Sequence, residues 1–272
     1  MQIRHFIALL LLLAGVPGLS AAAGKCERLV ATGNPEYPPY LWRDPANPKV
    51  LIGANADLLK QLGSELGVAI DVIYTGPWSR AQEDVRTGRV DMIAGAFLTL
   101  PRLETMDYIH PAFLETASVV WVKRGKGFPY NQWEDLRLHT GGTLVNNSFG
   151  QAFDHYAKDN LNLETVPSLT QAYQKLLLER TDYVLYERYP GLALAETLGM
   201  TADLEALEPP ISSEGLYLTL SFNSACNEPW LRGQLAKKMT ELAASGVPET
   251  LLQRNLELWK TQQLQPATPP KQ

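Results

Sequence analysis

Leu58, Leu62 and Leu66 recur every fourth residue in "ANADLLKQLGSELG", which stacks them on one face of an α-helix, with Gly67 placed to stop it. Apolar runs of strand length flank this helix: "RLVATG" before it and "VAIDVIY" after it. "WSRAQEDVRTG" then has a helical pattern and "RVDMIAGAF" that of a buried strand. Strands alternating with helices of this length predict a parallel sheet and an α/β fold. "YPPYLWRDPANPKVLIG" has neither period and reads as a loop of aromatics and prolines.

The middle of the chain repeats the scheme. "ASVVWVKR" and "TLVNN" read as strands, "FGQAFDHYAKDN" and "LTQAYQKLLLER" as helices, and "DYVLYE" as a strand. "GRVDMIAG" and "ERTDYVLYE" echo each other weakly, as two similar α/β lobes or chance would produce. "GLYLTLSF" returns to strand, followed by a helix with Leu231, Leu235, Met239 and Leu242 on one stripe. "GVPETLLQRNLELW" makes a last helix with Pro248 in its first turn. "QLQPATPPKQ" is expected to be a disordered end.

The first residues change the picture. Arg4, the apolar block Phe6–Leu13 and the small residues of "GLSAAAG" read as a cleavable secretory signal peptide over residues 1–23. The apolar block is too short to span a membrane, so an exported protein in the periplasm is expected. The chain carries 24 basic and 29 acidic residues, a mildly acidic balance that offers no basic face for nucleic acid. In an oxidising compartment Cys26 and Cys226 are expected to pair, two free thiols being the alternative.

Candidate chemistry is sparse. His110, His139 and His155 have no metal-ligand spacing, and no metal or cofactor is expected. There is no G-x-S-x-G elbow, and "TGGTLVNN" lacks the G-K-[ST] of a phosphate loop. Arg102 is the residue out of place. It follows the apolar run that ends at Leu98, and a guanidinium near a core needs an anionic partner. That partner is either an acid of the chain, such as Glu104 or Asp107, or a ligand.

Around Arg102 lies a pattern: Thr99-x-x-Arg102, Tyr108 six residues on and Pro111 nine on. Upstream, Trp78 stands thirteen residues before Asp91, and "TGNPEYPPY" follows the first strand. In this order the pieces resemble the family 3 periplasmic solute-binding proteins, the amino-acid-binding receptors of ABC transporters, over about Arg28 to Trp259. The resemblance implies a two-lobed periplasmic-binding-protein fold of type II with two hinge-crossing strands. Lobe one would be 24–116 plus 215–262, lobe two 117–214, and 263–272 a tail. Both cysteines then fall in lobe one.

The resemblance also implies a site. Arg102, beside Thr99, would hold a ligand carboxylate, and Tyr37 and Trp78 would sandwich the solute between ring faces. "NNSFGQAF" reads as a helix start, with Ser148 and Gln151 forming a capping box and with Phe149 beside a carboxylate-binding N-terminus. Glu187 stands where the family has an aspartate that pairs with an α-ammonium, although Arg188 beside it could neutralise it instead. Two further departures matter. Phe97 replaces a small hydroxyl residue, and Asn34 replaces the aspartate that holds a distal cation in lysine- and arginine-binding members. The implied partners are a small carboxylate solute and an inner-membrane ABC permease or a periplasmic sensor, with the protein a monomer. The alternative is an enzyme resembling the cyclohexadienyl dehydratases, with Glu187 as proton donor to prephenate or arogenate.

Overall fold

The computed structural model describes residues 26–264. The expected signal peptide and residues 265–272 of the expected tail lie outside the described residues. One eight-stranded sheet runs through the molecule in the order β5 (Ala69–Val72), β1 (Arg28–Thr32), β6 (Met92–Phe97), β11 (Leu204–Ser221), β7 (Met106–Lys123), β10 (Tyr183–Glu187), β8 (Thr140–Leu144) and β9 (Asn162–Val166). β1 is parallel to β5 and β6, and β8 is parallel to β9 and β10. β7 and β11 are antiparallel to each other and to their outer neighbours, so the sheet is mixed rather than purely parallel.

Those two strands join the two lobes. Each has 18 residues, several times the length of its neighbours. The late half of β11 pairs with β6 through Leu216–Leu220, and the late half of β7 pairs with β10 through Ser118–Trp121. Between these stretches, Glu115–Ala117 of β7 pair with Ser213–Gly215 of β11 alone. A two-stranded ribbon with no third strand bends more readily than the sheets on either side of it.

Each lobe packs helices on its own half of the sheet. The first carries α1 (Ala54–Leu66) and α2 (Trp78–Arg86). Leu58 and Leu62 are fully buried, and Gly67 closes α1 in the left-handed region at φ 67°, as the leucine spacing predicts. α7 (Pro229–Ala244) buries Leu231, Leu235, Met239 and Leu242. α8 (Val247–Leu264) follows and continues two residues into the segment expected as tail. The second lobe carries α4 (Gln151–Asn160), α5 (Leu169–Leu177) and α6 (Arg188–Thr197).

The segment read as an aromatic loop instead forms a small antiparallel sheet of β2 (Glu36–Tyr37), β3 (Leu41–Arg43) and β4 (Leu51–Ile52). Strands of two or three residues are too short to carry a period of two, which is why the pattern hides them. Tyr40 and Trp42 are buried there, and Trp42 meets Trp259 of α8 edge to face at 5.3 Å. Cys26 and Cys226 form a disulfide that ties the start of β1 to the loop before α7. Among the described residues no helix is long and apolar enough to cross a membrane.

Candidate functional site

A narrow cleft lies where the two lobes face each other. The first lobe lines it with Asn34, Tyr37, Trp78, Gly95, Ala96, Phe97, Arg102 and Leu216, and the second with Asn147, Ser148 and Glu187. Most of these residues follow the carboxyl ends of parallel strands, where an open α/β sheet leaves a crevice. Of the residues expected at the site, all but Thr99 and Phe149 line it. Thr99 is buried as the residue before α3 (Leu100–Leu103), and Phe149 packs into the second lobe's core against Phe153.

Arg102 sits on α3, a single turn with Pro101 near its start. Its Nη1 donates to the Phe97 carbonyl at 3.0 Å, and its Nη2 donates to Gln82 Oε1 at 3.2 Å. The guanidinium carbon lies 5.5 Å from the centre of the Trp78 ring. The Tyr108 hydroxyl donates to the same Phe97 carbonyl at 2.7 Å, which ties the arginine and the later aromatic of the pattern to one backbone group. No described carboxylate pairs with Arg102, and Asp107, one of the acids considered, instead accepts from Asn227 at 3.0 Å. The guanidinium is positioned by neutral oxygens and keeps its charge unmatched.

Gly95 aims this strand end. Tyr217 pairs with Ala96 and Leu218 with Ala94, so Gly95 is the extra residue of a bulge. Its φ is 114°, and a Cβ there would stand 2.5 Å from Nδ2 of Asn55, which donates to the Ala94 carbonyl at 2.6 Å. Only glycine fits both constraints.

Glu187 ends β10 and is about 5% exposed. Its Oε2 has no hydrogen-bond partner. Burial pushes its carboxyl up from 4.5 to about 7, with the Arg102 charge pulling the other way across the cleft. Arg188 does not neutralise it: that guanidinium donates to Glu208 at 2.5 Å, outside the cleft. The two ends of the cleft therefore carry opposite unpaired groups, a guanidinium from one lobe and a buried carboxyl from the other.

The remaining walls are aromatic and polar. Tyr37 stacks on Tyr40 at 4.9 Å and meets Tyr186 edge to face at 6.3 Å. The Tyr37 hydroxyl and Trp78 Nε1 are buried without a partner. Asn34 Nδ2 donates to the Tyr186 hydroxyl at 2.8 Å. The expected capping box at Ser148 and Gln151 is not formed. α4 starts at Gln151 after Gly150, which turns at φ 96°. The Asp154 carboxylate accepts from the Phe149 N–H at 2.8 Å and from the Ser148 hydroxyl, and Gln151 Oε1 accepts from the Leu100 N–H of the other lobe. Gly95, Ala96, Asn147, Leu216 and the supporting Gln82 were not identifiable as site residues from the pattern, since only the bulge and the lobe contact bring them in. Among the described residues no group of His, Cys, Asp and Glu could hold a metal ion.

Comparison with known proteins places this arrangement. No curated protein matches by sequence. Among solved structures, the chain is similar to a mutant of the arginine-binding protein from T. maritima, at 19% identity and TM-score 0.70, covering 85% of this chain and 96% of that one. It is similar to an amino acid ABC transporter substrate-binding protein from Streptococcus pneumoniae bound to L-arginine, at 19% identity and TM-score 0.71, over 86% and 96%. A histidine kinase sensor domain with similarity to periplasmic binding proteins matches at 19% identity and TM-score 0.71, over 85% and 97%. What the chain shares with these is the fold. Residues 29–257 match the model of one family along nearly the whole described chain, so the protein belongs to the bacterial extracellular solute-binding proteins, family 3.

Proposed function

We propose that this protein captures a small carboxylate-bearing solute, an amino acid or a close relative, between its lobes in the periplasm and delivers it to an ABC permease or a sensor. One observation carries the reading. Arg102 and Glu187 face one cleft from opposite lobes, each without a counter-charge of its own. A ligand with a carboxylate and an ammonium satisfies both at once, with Tyr37 and Trp78 against its side chain. Because it touches both lobes, such a ligand favours the closed arrangement. We take the lobes as 24–116 with 215–262 and 117–214, and the two-stranded stretch of β7 and β11 as the hinge.

The test is thermal unfolding of refolded, ligand-stripped protein with amino acids, small organic acids, prephenate and arogenate. A compound at about a thousand times its Kd adds roughly 4 kcal/mol, or about 8–16 °C for a chain of this size. A large shift with the compound recovered intact supports binding. The raised carboxyl of Glu187 also suits a proton donor, so consumption of prephenate or arogenate would favour the dehydratase-like alternative.

A further inference from the structure

The cleft is held shut by two rows of hydrogen bonds that cross it without using the hinge strands. Along one edge Gln82 Nε2 donates to the Asn146 carbonyl at 3.1 Å, and the Leu100 N–H donates to Gln151 Oε1 at 2.9 Å. Along the other, Asn34 donates to the Tyr186 hydroxyl, which donates in turn to the Glu36 carbonyl at 3.0 Å.

The strongest link of the second edge belongs to the Glu36 side chain. One carboxylate oxygen accepts from the Leu169 N–H at 2.7 Å and the other from the Thr170 hydroxyl at 3.3 Å. Leu169 is the first residue of α5, whose own cap, Ser168, accepts only from the Gln171 N–H. The first N–H groups of a helix have no partner within it, so the Leu169 donor is satisfied from the other lobe. β2, which carries Glu36, belongs to the small sheet of the first lobe, whereas α5 packs on β8, β9 and β10 of the second.

Glu36 does not line the cleft beside Arg102 and Glu187. Burial pushes its carboxyl up while the Leu169 and Thr170 bonds pull it down.

We propose that Glu36 is a positioning residue for ligand retention: a latch that completes the N-terminus of α5 only when the lobes are together. This rests on the reading of the cleft as a closing binding site. With the lobes apart, the carboxylate and the Leu169 N–H both return to water, so the contact favours the closed state alone. It lowers the rate of reopening and so the rate of ligand escape.

The experiment compares wild type, Glu36→Ala and Glu36→Gln. It records amide hydrogen exchange at Leu169 and Thr170, affinity for L-glutamine and L-arginine by calorimetry, and unfolding of the ligand-free protein. Glu36→Ala is expected to exchange faster at Leu169 and to bind about tenfold more weakly through faster dissociation, the loss of one net hydrogen bond. Its unfolding temperature falls less without ligand than with it, because the lobes are only partly closed in the ligand-free protein. Glu36→Gln keeps an acceptor and returns affinity to within about threefold of wild type. Unchanged affinity in Glu36→Ala overturns the latch, as does an equal loss of stability with and without ligand, which would make Glu36 a plain structural cap. If the wild type binds neither amino acid, it is the proposed function that suffers. Exchange at Leu169 then decides alone, and equal rates in wild type and Glu36→Ala overturn the latch.

Discussion

Glu187 and Arg188 are neighbours in the chain yet face opposite ways. Glu187 is buried at the cleft with an unpaired oxygen, while Arg188 leaves β10 at the first position of α6 and pairs with Glu208. The strand-to-helix change at this point separates two charges that proximity in sequence would have joined. An acid is thereby left in the cleft at the cost of its own solvation.

That cost makes stability depend on pH. An ordinary carboxyl near 4.5 is raised to about 7 in the folded protein, so the folded state holds the proton more tightly. The associated stability is fully present below about pH 4.5 and is lost as pH rises through about 7, a difference of about 3 kcal/mol. Glu187→Gln removes the titration. In urea unfolding of ligand-free protein, the variant is expected to exceed wild type by up to about 3 kcal/mol at pH 8 and to match it at pH 4. Parallel pH profiles for the two would show that Glu187 is solvated in the ligand-free protein.

Ligand binding has the opposite proton linkage. On the proposed reading a ligand ammonium pairs with the carboxylate form of Glu187, so binding below pH 7 expels its proton. Affinity for an amino acid is expected to weaken by up to about tenfold per pH unit below 7. Calorimetry in buffers of different ionisation enthalpy should register close to one proton released at pH 6, and none in Glu187→Gln. A wild-type signal independent of buffer would place the ammonium elsewhere.

Arg102 answers the question that its position raised in the sequence. Its Nη groups are held by the Phe97 carbonyl and Gln82, both neutral, so removing the guanidinium strands no buried acid. Arg102→Ala is therefore expected to leave ligand-free unfolding within about 1 kcal/mol of wild type. The same change should weaken binding of a carboxylate ligand by about 100-fold or more, the usual loss for a charged hydrogen-bonded partner. Arg102→Lys is expected to recover only part, since an ammonium lacks the planar fork. Full binding by the alanine variant would remove Arg102 from the site.

The legible part of the site is the part that a local spacing records. Arg102 and Tyr108 meet on one carbonyl within eleven residues of chain, so their spacing records their contact. Helix α1 was legible for the same reason, because its leucine stripe is a local consequence of 3.6 residues per turn. Glu36, Asn147 and Leu216 left no such record. Glu36 meets its partner 133 residues away and across a cleft, and nothing in the local pattern distinguishes it from any exposed glutamate. The Ser148–Gln151 capping box failed through the same kind of contact: the other lobe's Leu100 N–H takes the Gln151 oxygen that a local rule assigns to the helix start.

The disulfide gives a prediction independent of the cleft. Cys26 and Cys226 are 200 residues apart, so the bond closes nearly the whole described chain into one loop. Chain entropy sets an upper value of about 5 kcal/mol for a loop of that length. Reduction, or Cys26→Ser with Cys226→Ser, is expected to lower the unfolding temperature by up to about 10–20 °C. Because neither cysteine lines the cleft, affinity for an amino acid at 25 °C should stay within about threefold. A reduced protein that unfolds at the oxidised temperature would mean that the unfolded chain is already compact enough to make the link worth little.

If the cleft binds an amino acid as proposed, Asn34 is expected to set which side chains it accepts. Both ends of its amide are engaged: Nδ2 donates to the Tyr186 hydroxyl, and Oδ1 accepts from the Glu36 N–H at 3.1 Å. The cleft lining holds no acid other than Glu187, so a second cation on a ligand finds no counter-charge. L-glutamine is therefore expected to bind more tightly than L-arginine, and Asn34→Asp to shift that preference toward L-arginine by about tenfold. The Tyr186 hydroxyl can donate to the new carboxylate in place of the Glu36 carbonyl, which keeps the second edge of the cleft joined. The ratio of the two affinities, measured by calorimetry in both proteins, cancels any general effect of the substitution on closure. An unchanged ratio would mean that the ligand side chain points away from Asn34, toward Leu216 and Asn147.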